Sequence, residues 1–205
     1  PGDIAILNAG DETSRSFAVM TPADIRTFTR YGEADAYVDQ HTVFSIENGK
    51  KEIICKTSEI ILKGDHNLEN IAAATLAARA AGVSYDVIRK TVKEFAGLPH
   101  RLEHCGTVRG VSYYDDSFST VPETTIAALE AFYDPMVLIL GGSDKGSVFT
   151  DMAAAIARSP WISGLVVIGR MTERICDALN AAGYQKPLVT GKTTMKDIVQ
   201  SAASM

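Results

Sequence analysis

Tyr113-Tyr114-Asp115-Asp116-Ser117-Phe118-Ser119-Thr120-Val121-Pro122-Glu123-Thr124-Thr125 closes a hydrophobic run that reads as a strand and opens an apolar stretch that reads as a helix. Proline is pre-organised for the first helical position, so the helix is expected to start at Pro122. The junction gathers carboxylates, hydroxyls and free backbone amides at a strand-to-helix turn, where an open α/β sheet holds its ligands. One unit later, Leu138-Ile139-Leu140-Gly141-Gly142-Ser143-Asp144-Lys145-Gly146 repeats the arrangement. Two neighbouring strand ends are therefore expected to offer one polar crevice.

Around these landmarks the chain after Pro99 alternates simply. Strands are expected over 108–114, 136–140, 164–168 and 187–189, and helices over 122–132, 150–158, 171–182 and 194–203. This βαβα spacing predicts an α/β fold with a largely parallel, doubly wound sheet. Before Pro99 the pattern is mixed. Asp3-Ile4-Ala5-Ile6-Leu7-Asn8 reads as a buried strand with almost nothing in front of it, as in the interior of something larger. Ala36-Tyr37-Val38 and Thr42-Val43-Phe44-Ser45-Ile46 flank Asp39-Gln40-His41, and Glu47-Asn48-Gly49-Lys50 is a hairpin signal because Asn-Gly accepts positive φ. A helix follows over 67–81 with Gly82 as its C-terminal stop, then a second over 85–95 capped by Ser84. A boundary near Gly97-Leu98-Pro99 divides the chain into 1–98 and 99–205.

A chain of 205 residues with 46% hydrophobic and 22% charged residues is that of a soluble globular protein with one large core or two small ones. A net charge of -5 argues against a nucleic-acid partner, which generally needs a basic stripe. Cys55, Cys105 and Cys176 are odd in number and lack metal-ligand spacing, so neither a disulfide framework nor a zinc site is suggested and a reducing cytoplasm fits best. No apolar run approaches the roughly 20 residues that span a membrane, so no membrane association is expected.

Asn67 and Asn70 stand three apart at a helix start, where their amides can meet a planar ligand edge and the dipole favours anions; a base or a phosphate would suit. The plain alternative is that Asp65 or Asn67 caps the helix. Arg101, beside the boundary, offers a fixed fork of donors for phosphate or ribose oxygens, against the alternative of a solvated ion pair, while His100 alone reads as structural. Asp116, at a strand's carboxyl end, can accept from sugar hydroxyls or help hold a cation. Ser119 or Thr120 could cap the helix opening at Pro122, and Lys145 is either a surface loop residue or a point charge for a substrate carboxylate. Thr190-Gly191-Lys192-Thr193-Thr194 resembles part of a phosphate loop but lacks its first glycine, and reads as a plain loop.

Taken in order, Gly64-Asp65-His66-Asn67 with Asn70, Leu98-Pro99-His100-Arg101, Asp116-Ser117 through Thr120, and Gly141-Gly142-Ser143-Asp144-Lys145-Gly146 resemble the Mur ligases, as does Leu7-Asn8-Ala9-Gly10-Asp11. The resemblance runs over essentially the whole chain. It implies that 1–98 is the second part of the family's central ATP-binding domain and 99–205 most of its Rossmann-like C-terminal domain. The family's phosphate loop, carbamylated lysine and magnesium ligands would precede Pro1, and its closing Ser-Pro-Ala and Ser-Phe-Asp elements would follow Met205.

The same resemblance implies a monomeric cytoplasmic enzyme of peptidoglycan precursor synthesis that uses ATP and Mg2+. It would activate UDP-N-acetylmuramoyl-L-alanine as an acyl phosphate, attacked by the amine of glutamate. Asn67 and Asn70 would flank the adenine, and Arg101 and Asp116 would meet phosphate or ribose. Ser119, Thr120 and Lys145, with Phe118 between the loop hydroxyls, would face the acceptor. The chain alone would be inactive, and no catalytic or metal-binding residue is assigned within it. One departure concerns the acceptor. The D-glutamate-adding members read Asp-Ser-Lys-Ala-Thr-Asn, whereas this chain has Phe118 in place of the lysine and Val121 in place of the asparagine. An L-glutamate-adding relative and a non-catalytic nucleotide-binding module are the alternatives; a dinucleotide-dependent oxidoreductase is disfavoured because no GxGxxG follows an expected strand.

Overall fold

In the computed structural model, which describes residues 2–143 and 146–205, the chain divides into two compact units, Pro1–Leu98 and Pro99–Met205. The first unit opens with β1 (Ile4–Asn8) and a short α1 (Glu12–Ser16), whose N-cap Asp11 accepts from the Ser14 amide. Next come β2 (Asp24–Thr29), β3 (Ala36–Asp39), β4 (Thr42–Glu47) and β5 (Lys50–Lys56), followed by α2 (Asp65–Ala80) and α3 (Tyr85–Glu94). The five strands lie in sequence order; β1, β2 and β3 run parallel, and β3, β4 and β5 form an antiparallel meander.

Two tight turns make that meander. Gln40 and His41 have φ of 44° and 61°, and Asn48 and Gly49 have 51° and 76°. Left-handed backbone at both central positions matches the twist of the flanking strands, which is why Asn-Gly signals the second turn. The first turn contains no glycine, yet it closes Asp39 against Thr42 directly.

In α2, Leu68, Ile71, Ala72, Thr75 and Leu76 are buried. Their three- and four-residue spacing gives one apolar stripe. It packs with Ile88 of α3 on Ala36, Val43, Ile54 and Cys55 of the sheet. α2 ends as its sequence predicts: Gly82 takes φ of 82°, and the amides of Gly82 and Val83 return to the carbonyls of Arg79 and Ala78. Ser84 then caps α3 by accepting from the Val87 amide. The start of α2 differs from expectation. Its N-cap is Gly64 with no side-chain cap, and the Asn67 amide donates backwards to the Lys63 carbonyl at 2.7 Å, so neither Asp65 nor Asn67 caps the helix.

The second unit begins with an antiparallel hairpin, β6 (Glu103–Val108) and β7 (Val111–Asp115), joined by Arg109-Gly110 with φ of 51° and 81°. Sequence periodicity makes 108–114 one strand; the structure ends β6 at Val108 and turns there. Arg-Gly accepts the turn only because Arg109 takes a left-handed conformation that arginine's side chain does not favour, so composition gives no warning. Then come α4 (Pro122–Leu129), β8 (Met136–Gly142), α5 (Thr150–Arg158), β9 (Ile162–Gly169), α6 (Thr172–Ala181), β10 (Leu188–Val189) and α7 (Met195–Ala203). The parallel sheet has the order β10-β9-β8. The hairpin is a separate two-stranded sheet, so the parallel part holds three strands.

β9 is central and reads as a continuous apolar run because helices cover both its faces. Leu165, Val166 and Val167 have no exposed surface. Leu165 and Val167 pack among Leu140, Met152, Ile156, Ile175 and Leu179, and α7 is set against β8 and β9. No helix among the described residues is long and apolar enough to cross a membrane.

Candidate functional site

A cleft of about 180 Å³ lies at the carboxyl end of β8, in the second unit. Its floor is apolar, formed by Leu140, Met152 and Ile175, and its walls carry the hydroxyls of Ser117, Ser119, Thr120, Thr125, Ser143 and Ser147. Drug-sized ligands fill about 300–1,000 Å³. This cleft suits a smaller group, of amino-acid size. The turn after β7 and the Gly141-Gly142-Ser143 segment therefore share one polar crevice, although β7 and β8 are not hydrogen-bonded neighbours.

Local bonding fixes the first wall. The Asp116 carboxylate accepts from the Leu102 amide at 3.0 Å through Oδ1 and from the Ser119 hydroxyl through Oδ2. The Ser119 amide returns to the Asp116 carbonyl. Ser119 and Thr120 do not cap α4: the N-cap position is Val121, with no side-chain cap bond. Pro122 brings no N–H to the first turn, and Ser119 is held by Asp116 instead, which leaves Thr120 lining the cleft. Phe118 is 68% exposed and is not among the lining residues. Lys145 lies outside the described residues.

Arg101 sits between two residues with left-handed backbone, His100 (φ 62°) and Leu102 (φ 45°). Such conformations cost about 1–2 kcal/mol each for residues with a Cβ and need support. Here the His100 amide donates to Glu103 Oε2 at 2.7 Å, the His100 carbonyl accepts from the Phe118 amide at 3.0 Å, and Asp116 holds the Leu102 amide. Arg101 itself is exposed and makes no side-chain hydrogen bond or ion pair among the described residues. Its neighbours are tied down on both sides while its guanidinium is presented outward.

His100, read from sequence as merely structural, joins that support. Its Nδ1 lies 2.7 Å from Asp115 Oδ2. The bond to His100, followed by the Ser117 amide at 2.8 Å, holds the Asp115 carboxyl down at about 2, and the same carboxylate raises His100 above its ordinary 6.5. The Asp115 contribution to stability is complete above its unfolded value of 3.8 and is lost as pH falls towards about 2. The His100 contribution is complete below 6.5 and is lost as pH rises through its raised folded value. NMR titration is expected to find the His100 imidazole above 6.5 in the native chain and back near that value in Asp115→Asn. An unchanged midpoint in the variant would dissolve the pair. His100, Glu103 and Asp115 also place ligand-type atoms within 4.8 Å of one another. Their mutual hydrogen bonds account for that approach.

The first unit carries the asparagine pair. Asn70 donates to Asn67 Oδ1 at 3.2 Å, and the exposed Asn70 keeps its own Oδ1 without a partner among the described residues. Nearby in sequence, Glu69 accepts from the Asn8 side-chain amide at 3.0 Å, tying the end of β1 to α2. That link spans 61 residues and has no local sequence signal.

The sequence matches no family model. It is 36% identical over 190 residues to UDP-N-acetylmuramoylalanine--D-glutamate ligase of Pelotomaculum thermopropionicum, covering 92% of this chain and 41% of that protein. It is 33% identical over 202 residues to the protein of the same name from Thermoanaerobacter sp. (strain X514), covering 98% of this chain and 44% of that protein. The chain thus spans about two-fifths of the length of these curated relatives. In fold it is similar over its whole length to the crystal structure of MurF from Acinetobacter baumannii, with a TM-score of 0.72, 17% identity and 52% of that chain covered. With curated relatives along nearly all of its sequence and the fold of a Mur ligase structure, the chain belongs to the Mur ligase family.

Proposed function

We propose that this chain is part of an ATP-dependent ligase that joins glutamate to UDP-N-acetylmuramoyl-L-alanine in peptidoglycan precursor synthesis. The first unit corresponds to the second part of the central ATP-binding domain and the second to the Rossmann-like C-terminal domain. The observation that carries the reading is the hydroxyl-lined cleft of amino-acid size, built from the two motifs that resemble the family's acceptor-side elements. Thr120, Ser119 and Lys145 serve the acceptor glutamate.

Each unit, taken by itself, carries polar groups of a kind that suits part of a nucleotide. In the first unit, Asn70 has an amide oxygen with no partner among the described residues, suited to an exocyclic amine; in the second, Arg101 presents a fork of donors with no partner among the described residues, suited to phosphate. Each Asp116 oxygen has one protein donor and retains a lone pair for a ribose hydroxyl. ATP, when bound, supplies the phosphoryl group that activates the carboxylate. The chain's own residues orient base, sugar and acceptor, and positioning of that kind supplies much of the rate in such reactions. Magnesium is assigned to no residue of this chain.

Phe118 favours a second reading of the acceptor, because an exposed aromatic stands where D-glutamate-adding members carry a cation. The test is a ligation assay on a full-length protein containing this chain, with ATP, UDP-N-acetylmuramoyl-L-alanine and either D- or L-glutamate. Phosphate release and product mass are followed together. D-glutamate-dependent product is expected; product with L-glutamate alone would select the second reading, and none with either would overturn both.

A further inference from the structure

We infer that Arg174, on α6, is a positioning residue for the acceptor cleft. Among its contacts, its guanidinium meets three residues that line the cleft. One donor bonds the Ser147 carbonyl at 2.9 Å, another lies 3.7 Å from Met171 Sδ, and the cation stands 5.5 Å from the centre of the Phe149 ring. Ser147 and Phe149 belong to the connection between β8 and α5, whereas Met171 is the N-cap of α6 and Ile175 lies in its first turn, and all four line the cleft. Arg174 therefore fastens the wall that follows β8 to the helix that follows β9.

Chemistry explains the choice of residue. A guanidinium donates to a carbonyl in its own plane while presenting its flat face to an aromatic ring, which an ammonium on a flexible stem does not reproduce. The contact to Ser147 is with backbone, so it fixes the path of the chain. Arg174 is exposed and lies outside the buried core, so its removal leaves the packing of β8, β9 and α6 intact.

The inference rests on the reading of the cleft as the acceptor site, and the experiment separates the two. In a full-length protein containing this chain, acceptor and ATP kinetics are measured for Arg174→Ala, Arg174→Lys and Thr120→Val. Arg174→Ala is expected to raise the acceptor KM about tenfold with the ATP KM and kcat little changed, and to speed amide exchange at Ser147. Arg174→Lys is expected to recover part of both. If Thr120→Val raises the acceptor KM and Arg174→Ala does not, the positioning role fails while the acceptor site stands. If neither variant moves it, the acceptor reading fails and the role falls with it. A rise with Arg174→Ala alone, or an equal rise in the ATP KM, would place the effect outside the cleft and overturn the inference.

Discussion

Gly141→Ala is expected to destabilise the second unit by about 3 kcal/mol and to disrupt the cleft floor, at the upper end of typical overpacking penalties. A Cβ at Gly141 would stand 2.6 Å from Ile168 Cγ1 and 2.7 Å from the Ile168 carbonyl oxygen. The side chain could rotate away, but the carbonyl is backbone of β9, whose Leu165, Val166 and Val167 are fully buried. That strand cannot withdraw without reopening contacts with α5 and α6, and a close-packed interior transmits such a shift. Gly142 is the control. A Cβ there meets nothing within 4 Å, although Gly142 also lines the cleft. Urea unfolding of the two alanine variants should therefore separate them by 2 kcal/mol or more. Equal midpoints would mean that the glycine pair is not set by strand approach.

This pair shows what sequence alone can reach. Gly141-Gly142 marks a strand end at a glance, but which glycine is required depends on Ile168, a residue that only the β8–β9 register brings alongside. Local signals fared well wherever the cause was local. Asn48-Gly49 turns, Gly82 terminates α2 and Ser84 caps α3, because each answers a demand of its own backbone. The turns at Gln40-His41 and Arg109-Gly110 were not legible, since left-handed conformations of Gln, His and Arg are imposed by strand pairing against residue preference.

Site residues divide along the same line. Asn67 and Asn70 face one another because helical spacing places them so, and Ser119 and Thr120 reach the cleft because the turn before Pro122 does. Capping was the natural expectation for Ser119, and it was wrong because the helix starts at Pro122 and puts Val121 at the N-cap, two residues beyond Ser119, whose hydroxyl donates to Asp116. The His100 and Asp115 pair joins residues 15 apart in sequence, and the Arg174 bond to Ser147 joins residues 27 apart. Neither spacing is a motif, and both depend on how connections fold back on the strand ends.

Asp116→Ala is expected to have the largest functional effect, because one carboxylate holds two parts of the second unit at once. Its removal leaves the Leu102 amide and the Ser119 hydroxyl without their acceptor. Losing hydrogen bonds to a charged group costs about 1.5–3 kcal/mol each when fully buried. Asp116 is half-buried, so about 2 kcal/mol in total is the expected loss of stability. Leu102 is one of the two left-handed residues that flank Arg101, so releasing its amide frees the guanidinium from its presented geometry. On the proposed assignment of Asp116 to the ribose and Arg101 to phosphate, losing both should lower kcat/KM for ATP at least about a hundredfold in the full-length protein, the equivalent of some 2.7 kcal/mol. Asp116→Asn separates the two roles. Its Oδ1 can still accept from the Leu102 amide, and its Nδ2 can donate to the Ser119 oxygen, so thermal stability should return close to that of the parent. The charge is not restored, and activity should stay low. A fully active Asn variant would show that the carboxylate serves only as an anchor, and an Ala variant with unaltered melting would show that the two anchor bonds contribute nothing.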